Sequence, residues 1–294
     1  MTSPRPTLFQ KFADVFPTEK VGENGWGALW RIAFYAARPK LPFIMRTPYY
    51  RLWASPTKGP LSYAVVRRGL WEATLTRQLV PHLRPGDLFV DAGANFGHFG
   101  MVAASIVGPT GRVFSFEPQA EIFEVLKANI ALNGFTWLTP VCAAVGETDG
   151  EAVLTTDASS AGGHSLIPAF VGKAGGTTTV PMWSLDSYLA ANAPGRRLSA
   201  LKIDVQEYEA QVIQGVKNTI ARDKPLVICE VSAAPDAARR QQVAEILATF
   251  SDLNYTATMV WDSAKLTRAA SFEEIAAHCS SNAGHIDLVF TPPT

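Results

Sequence analysis

A glycine-rich turn with an acidic residue before it is the part of the sequence best suited to ligand binding. In the segment VDAGANFG, an apolar run leads into the turn and a helical pattern follows it. Small residues let the backbone approach a ligand closely, and the start of a helix supplies unpaired N–H groups. The residues predicted to contact a ligand are Asp91, Gly93, Ala94, Asn95 and Gly97.

The chemistry of this turn distinguishes between two nucleotide ligands. A dinucleotide site uses Gly-x-Gly-x-x-Gly, so that pyrophosphate lies on the N–H groups of the helix. Here Asn95 replaces the middle glycine, and the carboxylate of Asp91 would repel pyrophosphate. S-adenosylmethionine (SAM) carries an ammonium and a sulfonium but no phosphate. The turn therefore predicts SAM rather than NAD, and a purely structural turn is the alternative.

Two further strand ends complete the predicted cofactor site. Glu117 ends the second strand, where a carboxylate can accept hydrogen bonds from ribose hydroxyls, and Pro118 fixes the turn after it. Ala144 belongs to a run of small residues that ends the third strand and leaves room for an adenine edge. A solvated strand-end acid and ordinary core packing are the alternative interpretations of Glu117 and Ala144.

Candidate catalytic groups follow the fourth and fifth strands and an inserted loop. Asp204 is the first candidate for the base that removes a proton from an acceptor hydroxyl, and an N-cap of the next helix is the alternative. His164 is the second candidate, because a pKa near neutrality suits a base. Glu230 ends the fifth strand, where with Asp204 it could bind a divalent ion. No third ligand is evident, so we predict no metal site.

Three more residues are candidates for acceptor binding. Lys202 lies two residues before Asp204 on the same strand face, and pairing with a core carboxylate is its alternative role. Glu209 lies at the start of the following helix, and Ser165 lies in the inserted segment that is expected to cover the site.

Alternating strands and helices must position these residues. Main strands are predicted at 87–93, 111–118, 138–146, 198–204, 225–232, 255–262 and 285–292, extra strands at 151–156 and 177–185, and helices at 98–107, 119–133, 207–220 and 236–250. This order predicts an α/β fold, with a mostly parallel sheet of seven main strands and helices on both faces. Ligands of such sheets bind at the carboxyl ends of the strands, where the candidates lie.

Several segments, in order and spacing, resemble the FkbM-type family of SAM-dependent methyltransferases. They are VDAGANFGHFG (90–100), FSFEP (114–118), ANIALNG (128–134), AAVGETDGEAVL (143–154), Gly-Gly-x-Ser-Leu (162–166), SLDSYL (184–189) and LKIDVQEYEAQVIQG (201–215). The resemblance covers about residues 87–235 and implies a class I methyltransferase sheet, which is Rossmann-like. It also implies methylation of a hydroxyl on a sugar, polyketide or similar small acceptor. The family usually has glycine where this chain has Glu207, a departure that bears on the substrate.

The charge of the chain is unevenly distributed. In total 26 Lys and Arg balance 26 Asp and Glu, but residues 1–87 carry 13 basic and 5 acidic side chains and 13 of the 30 aromatic residues. We therefore predict a helical, basic, aromatic-rich accessory region at 1–87 and a methyltransferase domain at 88–294 with an insertion at about 147–185. Helices are expected at Trp26–Tyr35 and Leu70–Leu83. Docking on the main domain is the expected role of the region; formation of a homodimer and binding of an anionic acceptor are alternatives.

These observations predict a SAM-dependent O-methyltransferase acting on a small-molecule or sugar hydroxyl, without a nucleic-acid partner. An RNA-binding methyltransferase and a catalytically inactive SAM-binding interaction module are alternatives. Against RNA, the basic residues are scattered, and IDVQ lacks the Asn/Asp-Pro-Pro-aromatic pattern of enzymes that methylate amino groups. Three cysteines without CxxC spacing exclude a cysteine zinc site and fit a reducing compartment. With no apparent signal peptide or membrane span, a cytoplasmic protein is expected.

Overall fold

The computed structural model describes six stretches of the chain. They are residues 43–54, 70–157, 164–233, 236–261, 266–281 and 284–293. The predicted helix Trp26–Tyr35 lies outside them, as does most of the region considered for a homodimer. The division of the chain at residue 87 and the homodimer therefore stay predictions.

Thirteen strands and eight α-helices occur in the described stretches. The strands are β1 (Phe43–Arg46), β2 (Arg51–Ala54), β3 (Leu88–Ala92), β4 (Arg112–Phe116), β5 (Leu138–Val141), β6 (Ala144–Val145), β7 (Gly150–Asp157), β8 (Ala174–Trp183), β9 (Leu198–Ile203), β10 (Leu226–Ala233), β11 (Thr256–Trp261), β12 (Leu266–Ala270) and β13 (Gly284–Thr291). The helices are α1 (Ala73–Leu79), α2 (His98–Val107), α3 (Ala120–Asn133), α4 (Leu185–Asn192), α5 (Glu209–Gln214), α6 (Lys217–Asp223), α7 (Ala237–Asp252) and α8 (Phe272–Ser281).

Eight strands form one sheet in the order β5-β4-β3-β9-β10-β13-β11-β12. The five strands from β5 to β10 in this order pair in parallel, whereas β13 is antiparallel to both β10 and β11. The chain runs outward from β3 to β5 and then returns to β9, so the order reverses between β3 and β9. The predicted α/β fold with a mostly parallel sheet is confirmed. β12 adds an eighth, edge strand that escaped prediction because it is mostly exposed and lacks an apolar run.

Helices cover both faces of the sheet and bury two apolar layers. α1, α2 and α3 pack on one face around residues such as Phe89 and Ile228. α4 to α8 pack on the other face around residues such as Leu201 and Phe290. None of the helices in these stretches is long and apolar enough to cross a membrane.

Three predicted elements differ from those observed. The predicted strand 138–146 is divided into β5, in the main sheet, and β6, which pairs with β8. The predicted helix 207–220 is divided into α5 and α6 around Gly215, where a β-carbon would lie 2.0 Å from the carbonyl oxygen of Gly146. Because residue 215 is glycine, the break between α5 and α6 can lie against the backbone of Gly146, which follows β6. The predicted helix Leu70–Leu83 is shortened to α1 and a 3₁₀ turn.

The predicted insertion folds as a small sheet of its own. β7 and β8, which cover the two predicted extra strands, pair antiparallel, and β6 lies parallel to β8. Ser165 exchanges two backbone hydrogen bonds with Thr155, at 2.9 and 3.1 Å. This bridge brings the start of the 164–173 stretch back beside β7.

The described part of the N-terminal region packs on the main fold. β1 and β2 form an antiparallel hairpin. The N–H of Trp53 donates to Oδ1 of Asn129 at 3.0 Å, and the N–H of Arg51 donates to Oδ1 of Asn133 at 2.7 Å. Both amides belong to α3, so side chains of the main fold satisfy the edge of the hairpin.

Gly100 allows α2 to approach β4, and this contact predicts a loss of stability in a variant. A β-carbon at Gly100 would lie 2.2 Å from Oγ of Ser115 and 3.3 Å from Oδ2 of Asp91. We expect Gly100→Ala to lower the free energy of unfolding by about 1–3 kcal/mol through overpacking, measured by urea denaturation. Ser115→Ala removes the nearer obstacle. Gly100→Ala should therefore lower the free energy of unfolding less in the Ser115→Ala background than in the wild type. An equal loss in both backgrounds would contradict the packing argument.

Candidate functional site

A cavity of about 220 Å³ opens at the carboxyl ends of the parallel strands, beside the reversal between β3 and β9. Its walls include the glycine turn after β3, the end of β4, the loop after β9 and one residue of β10. The insertion and the residues just before α1 also contribute. The cavity therefore lies where ligands of open α/β sheets bind.

The glycine turn has the backbone conformation that its residue types predict. Gly93 has a φ of 82° and Gly97 a φ of 96°, in the left-handed region that glycine adopts most readily. A β-carbon on Gly93 would lie 1.8 Å from the carbonyl oxygen of Asp204. Gly93, Ala94 and Asn95 line the cavity, whereas Gly97 packs against α3. The turn is thus joined directly to the loop after β9.

The carboxylate of Asp91 binds α2 and is not part of the cavity wall. Its side chain is buried, and Oδ2 accepts a hydrogen bond from the N–H of Gly100 at 2.8 Å. Burial raises the pKa of Asp91 to about 7, against the opposite effects of Lys202 and of this bond. Asp91 holds the first turn of α2, which follows the glycine turn. Its predicted contact with a cationic ligand stays a prediction.

Glu117 lies in the cavity wall, at the position predicted for a ribose-binding carboxylate. Its Oε2 accepts from the N–H of Asn95 at 2.9 Å, and its Oε1 accepts from the N–H of Gln119 at 3.0 Å. Burial raises the pKa of Glu117 to about 7, although these bonds favour the ionised form. Each oxygen keeps a further lone pair for a ligand hydroxyl. Pro118 and Ala144 also line the cavity, as predicted.

Asp204 directly follows β9 and lies at the cavity wall, with 26% of its side chain exposed. Nζ of Lys202 lies 3.2 Å from its Oδ2, and Nε2 of Gln206 donates to its Oδ1 at 2.9 Å. Burial favours the neutral acid, but Lys202 and the hydrogen bonds from Glu230 and Gln206 hold the pKa of Asp204 below its usual range. Asp204 is therefore an ionised hydrogen-bond acceptor at neutral pH.

Lys202 and Glu230 complete this charged group. Burial would lower the pKa of Lys202, but nearby carboxylates, Asp204 first among them, raise it, and Nζ also lies 5.3 Å from the centre of the Phe99 ring. Burial and the charge of Asp204 raise the pKa of Glu230 well above its usual range. The protonated form of Glu230 is therefore favoured, and it donates a hydrogen bond to Asp204. Lys202 lines the cavity and also pairs with a carboxylate, so its two interpretations are compatible.

His164 and Ser165 of the insertion have different positions. His164 lines the cavity, and its Nδ1 accepts from the N–H of Asp157 at 2.8 Å, which leaves the hydrogen of the neutral ring on Nε2. Burial lowers the pKa of His164, which favours the neutral ring, and a ring with its hydrogen on Nε2 offers the cavity a donor, an arrangement that disfavours a role as base. Ser165 is buried, and its Oγ donates to the carbonyl of Gln206 at 2.6 Å and accepts from the N–H of Ile167. It ties the insertion to the loop after β9.

Glu209 supports the loop that carries Asp204. Its Oε1 accepts from the N–H of Val205 at 3.0 Å and from the N–H of Glu207 at 3.2 Å. The side chain is buried, does not line the cavity, and has a pKa raised by burial to about 8. The structure therefore gives Glu209 a positioning role where acceptor binding was predicted.

Glu207 has a backbone conformation that glycine adopts more readily than other residues. Gln206 and Glu207 have φ values of 55° and 77°, which are strained for residues with side chains. The carboxylate of Glu207 binds Nε of Arg239 at 3.1 Å and Oγ of Ser232, and it does not line the cavity. Contacts with α7 and β10 therefore hold a conformation that glycine adopts freely, and the charged side chain does not obstruct the site.

Residues before α1 contribute to the site in a way that the sequence does not reveal. Trp71 and Glu72 line the cavity. His98, also in the wall, hydrogen-bonds through Nδ1 to Oη of Tyr50 at 2.6 Å and through Nε2 to Oγ1 of Thr76 at 2.9 Å. Burial lowers the pKa of His98 to about 3, so this bridge is neutral. The enrichment of aromatic residues in 1–87 was the only signal for these contacts.

Asp204 and Glu230, the pair considered for a divalent ion, both accept hydrogen bonds from Gln206. Nε2 of Gln206 donates to Oδ1 of Asp204 and, at 3.3 Å, to Oε2 of Glu230. Within the stretches that the structure describes, no three His, Cys, Asp or Glu residues are grouped so as to hold a metal ion.

The sequence also matches a family model. The model described as methyltransferase FkbM domain matches residues 91–257, which is more than half of the 294 residues. Comparison with curated proteins gives no significant match.

Many solved structures have a similar fold, and the following three are examples. The methyltransferase FkbM from Methylobacillus flagellatus is 16% identical (TM-score 0.42, 78% of this chain and 53% of that one). A SAM-dependent O-methyltransferase from Thermotoga maritima is 14% identical (TM-score 0.38, 76% and 65%). Aeropyrum pernix fibrillarin with natively bound SAM is 13% identical (TM-score 0.42, 74% and 73%). The chain thus spans about half the length of the first of these proteins.

The buried carboxyl of Glu209 predicts how stability depends on pH. Its pKa is about 8 in the folded protein and near 4 in an unfolded chain, so the folded state holds a proton that the unfolded state releases. Its contribution to stability is complete below the unfolded value and is lost as pH rises through 8. We expect the free energy of unfolding of Glu209→Gln to fall less than that of the wild type between pH 5 and 8.5. Urea denaturation tests this, with exposed Glu245→Gln as the control; parallel curves for Glu209→Gln and the wild type would refute it.

Proposed function

Because the chain belongs to the methyltransferase FkbM domain family, we propose that it transfers a methyl group from SAM to a hydroxyl of a small-molecule or sugar acceptor. Its matched domain is that of a SAM-dependent methyltransferase. The oxygen acceptor and the roles of the individual residues are the proposed part.

The contact between Gly93 and Asp204 carries this proposal. The turn suited to the cofactor touches the backbone carbonyl of Asp204, the residue whose ionised carboxylate is suited to the acceptor, with no room for a side chain on residue 93. The other walls fit SAM by their chemistry: Glu117 can accept ribose hydroxyls, and Ala144 leaves space for an adenine edge. When bound, SAM supplies an electrophilic methyl group on a positively charged sulfur.

Asp204 has the properties that methylation of a hydroxyl needs from a side chain. Its carboxylate is ionised and fixed by Lys202 and Gln206, so it can accept a hydrogen bond from the acceptor and orient its oxygen. The hydroxyl becomes strongly acidic as its oxygen is alkylated, and its proton can pass to Asp204. A base with a lowered pKa therefore suffices and stays ionised over a wide pH range.

Two alternative functions are less well supported. Glu207 binds Arg239 and Ser232 and does not line the cavity, which supports an active enzyme over an inactive SAM-binding module. RNA as acceptor would be favoured by the basic residues in 1–87, yet the sequence IDVQ lacks the pattern of enzymes that methylate amino groups. A steep salt dependence of RNA binding would support the RNA alternative.

Calorimetric titration with S-adenosylhomocysteine (SAH) tests the cofactor site. We expect the wild type to bind and Glu117→Ala to bind at least about tenfold more weakly, since hydrogen bonds to a charged group contribute about 1.5–3 kcal/mol. Glu124→Gln is the control, because this exposed residue of α3 pairs only with Lys127 among the ion pairs described. No heat with the wild type, or equal affinity of Glu117→Ala, would overturn the assignment.

Replacement of Asp204 tests the base. We expect Asp204→Asn to lower turnover by about 10²–10⁴-fold, the usual contribution of a positioned base, while SAH affinity changes little. Formation of SAH from SAM with a panel of hydroxyl acceptors measures this. His164→Ala should be the milder variant, because Nε2 of His164 is a donor. Near-full turnover by Asp204→Asn would exclude it as the base.

A further inference from the structure

A second crevice, of about 400 Å³, opens at the end of the sheet opposite the cofactor cavity. It lies between the start of β4, the two residues before β5 and the end of α4. Within the described stretches, its only charged wall residues are Arg112 and Arg196. We propose that this crevice binds the phosphate groups of a small molecule. The inference goes beyond the proposed function and does not depend on it.

Packing against aromatic rings holds Arg112 at the crevice. Residues 112 and 114 project from the same face of β4, and the guanidinium carbon of Arg112 lies 5.5 Å from the centre of the Phe114 ring. That ring meets the ring of Tyr188 on α4 edge-on, with centroids 5.3 Å apart. No hydrogen bond or ion pair joins this guanidinium to another residue in the described part of the chain, so its donors are available to a ligand.

Arg196 follows α4 and reaches the segment that leads into β4. Its Nη1 donates to the carbonyl oxygens of Thr110, at 3.2 Å, and of Gly86, at 3.5 Å. Thr110 lies two residues before Arg112, so Arg196 is held next to the segment that carries the other arginine. Nε and Nη2 of Arg196 have no partner among the described residues, and this edge of a guanidinium can bind two oxygens of a phosphate at once.

Carboxylates near the crevice bind other groups. Asp87, whose carbonyl oxygen accepts from the N–H of Arg112, directs its Oδ2 to the N–H of Arg84 at 2.7 Å. Asp223, beside the turn after α4, pairs with Nε of Arg222 at 2.7 Å. No Asp or Glu belongs to the described wall, and neither wall arginine forms an ion pair with a described carboxylate. An anion in the crevice therefore meets two cations that no carboxylate pairs with there.

The neutral wall groups complete the chemistry of a phosphate site. Thr136 offers a hydroxyl, and Asn192 offers one amide hydrogen because its Nδ2 gives the other to the carbonyl of Tyr188 at 3.0 Å. These donors suit phosphate oxygens that the two guanidinium groups leave unbound. The ring of Trp137, fixed by its Nε1 donating to the carbonyl of Ala104 at 2.8 Å, adds apolar contact for the rest of a ligand. A volume of about 400 Å³ is typical of small-molecule sites, which favours a phosphorylated small molecule over an extended polymer.

The crevice is separate from the place of methyl transfer. Arg112 begins β4 and lines the crevice, whereas Glu117 directly follows β4 and lines the cavity. Five residues of strand at about 3.3 Å each put roughly 16 Å between them. A phosphate bound at the crevice is therefore not the group that is methylated, and it does not compete with the cofactor.

Calorimetric titration with inorganic pyrophosphate at low ionic strength tests the site. We expect the wild type to bind with a Kd on the order of 1 mM or tighter, and Arg112→Gln and Arg196→Gln each to bind at least about threefold more weakly, as for loss of a partly solvated charge contact. Arg240→Gln is the matched control, because it removes the same charge from an exposed position on α7 and should leave the Kd within about 1.5-fold.

A variant that keeps both arginines provides a second measurement. Thr136→Glu places a carboxylate in the crevice at an exposed position and should abolish pyrophosphate binding, whereas Thr136→Gln should stay within about threefold of the wild type. Urea denaturation checks that each variant is folded.

Four results would overturn the inference. They are a wild type that binds no pyrophosphate, arginine variants or Thr136→Glu that bind as tightly as the wild type, displacement of pyrophosphate by SAH, and a single-stranded oligonucleotide that binds the crevice in preference to pyrophosphate. The first two and the last leave the proposed function untouched, since its own test is the binding of SAH. Displacement by SAH would place the anion in the cofactor cavity.

Discussion

The carbonyl oxygen of Asp204 occupies the space that a side chain on residue 93 would need. The positions predicted for methyl donor and proton acceptor come from strands on either side of the reversal in strand order, β3 and β9. Because a β-carbon on Gly93 would lie 1.8 Å from that oxygen, only glycine allows the two loops to touch. The left-handed φ of Gly93 gives a second, independent reason for glycine. The rest of the site is arranged around this contact.

Burial of several acids around one lysine accounts for the electrostatic behaviour of the site. A buried charge is costly unless it is paired, and Lys202 pairs with Asp204. Burial and the charge of Asp204 disfavour ionisation of Glu230 and raise its pKa well above its usual range. Asp91 and Glu209, with raised pKa values, satisfy backbone N–H groups away from the cavity wall. Lys202 thus keeps Asp204 ionised, whereas burial raises the pKa of the other acids, of which Glu117 and Glu230 also line the cavity.

The sequence predicted the elements better than the directions of their side chains. The bounds of α2 agree with the prediction because glycines at 97 and 108 mark both ends. Glu117 lies at its predicted place because a strand end and a following proline determine where it points. The direction of the Asp91 side chain could not be predicted in this way, since it depends on how closely Gly100 lets α2 approach the sheet. Trp71 reaches the cavity through packing between distant segments, which leaves no spacing pattern in the sequence.

The left-handed backbone at Glu207 links the evolution of two parts of the molecule. With glycine at this position, a chain can form the turn after β9 whatever the neighbouring helix carries. Here the turn is held through Arg239 on α7 and Ser232 on β10. Changes on the outer helix layer are therefore constrained by the need to keep that turn. Glycine at position 207 would form the turn without these two contacts, whereas in this chain the turn after β9 depends on side chains of α7 and β10.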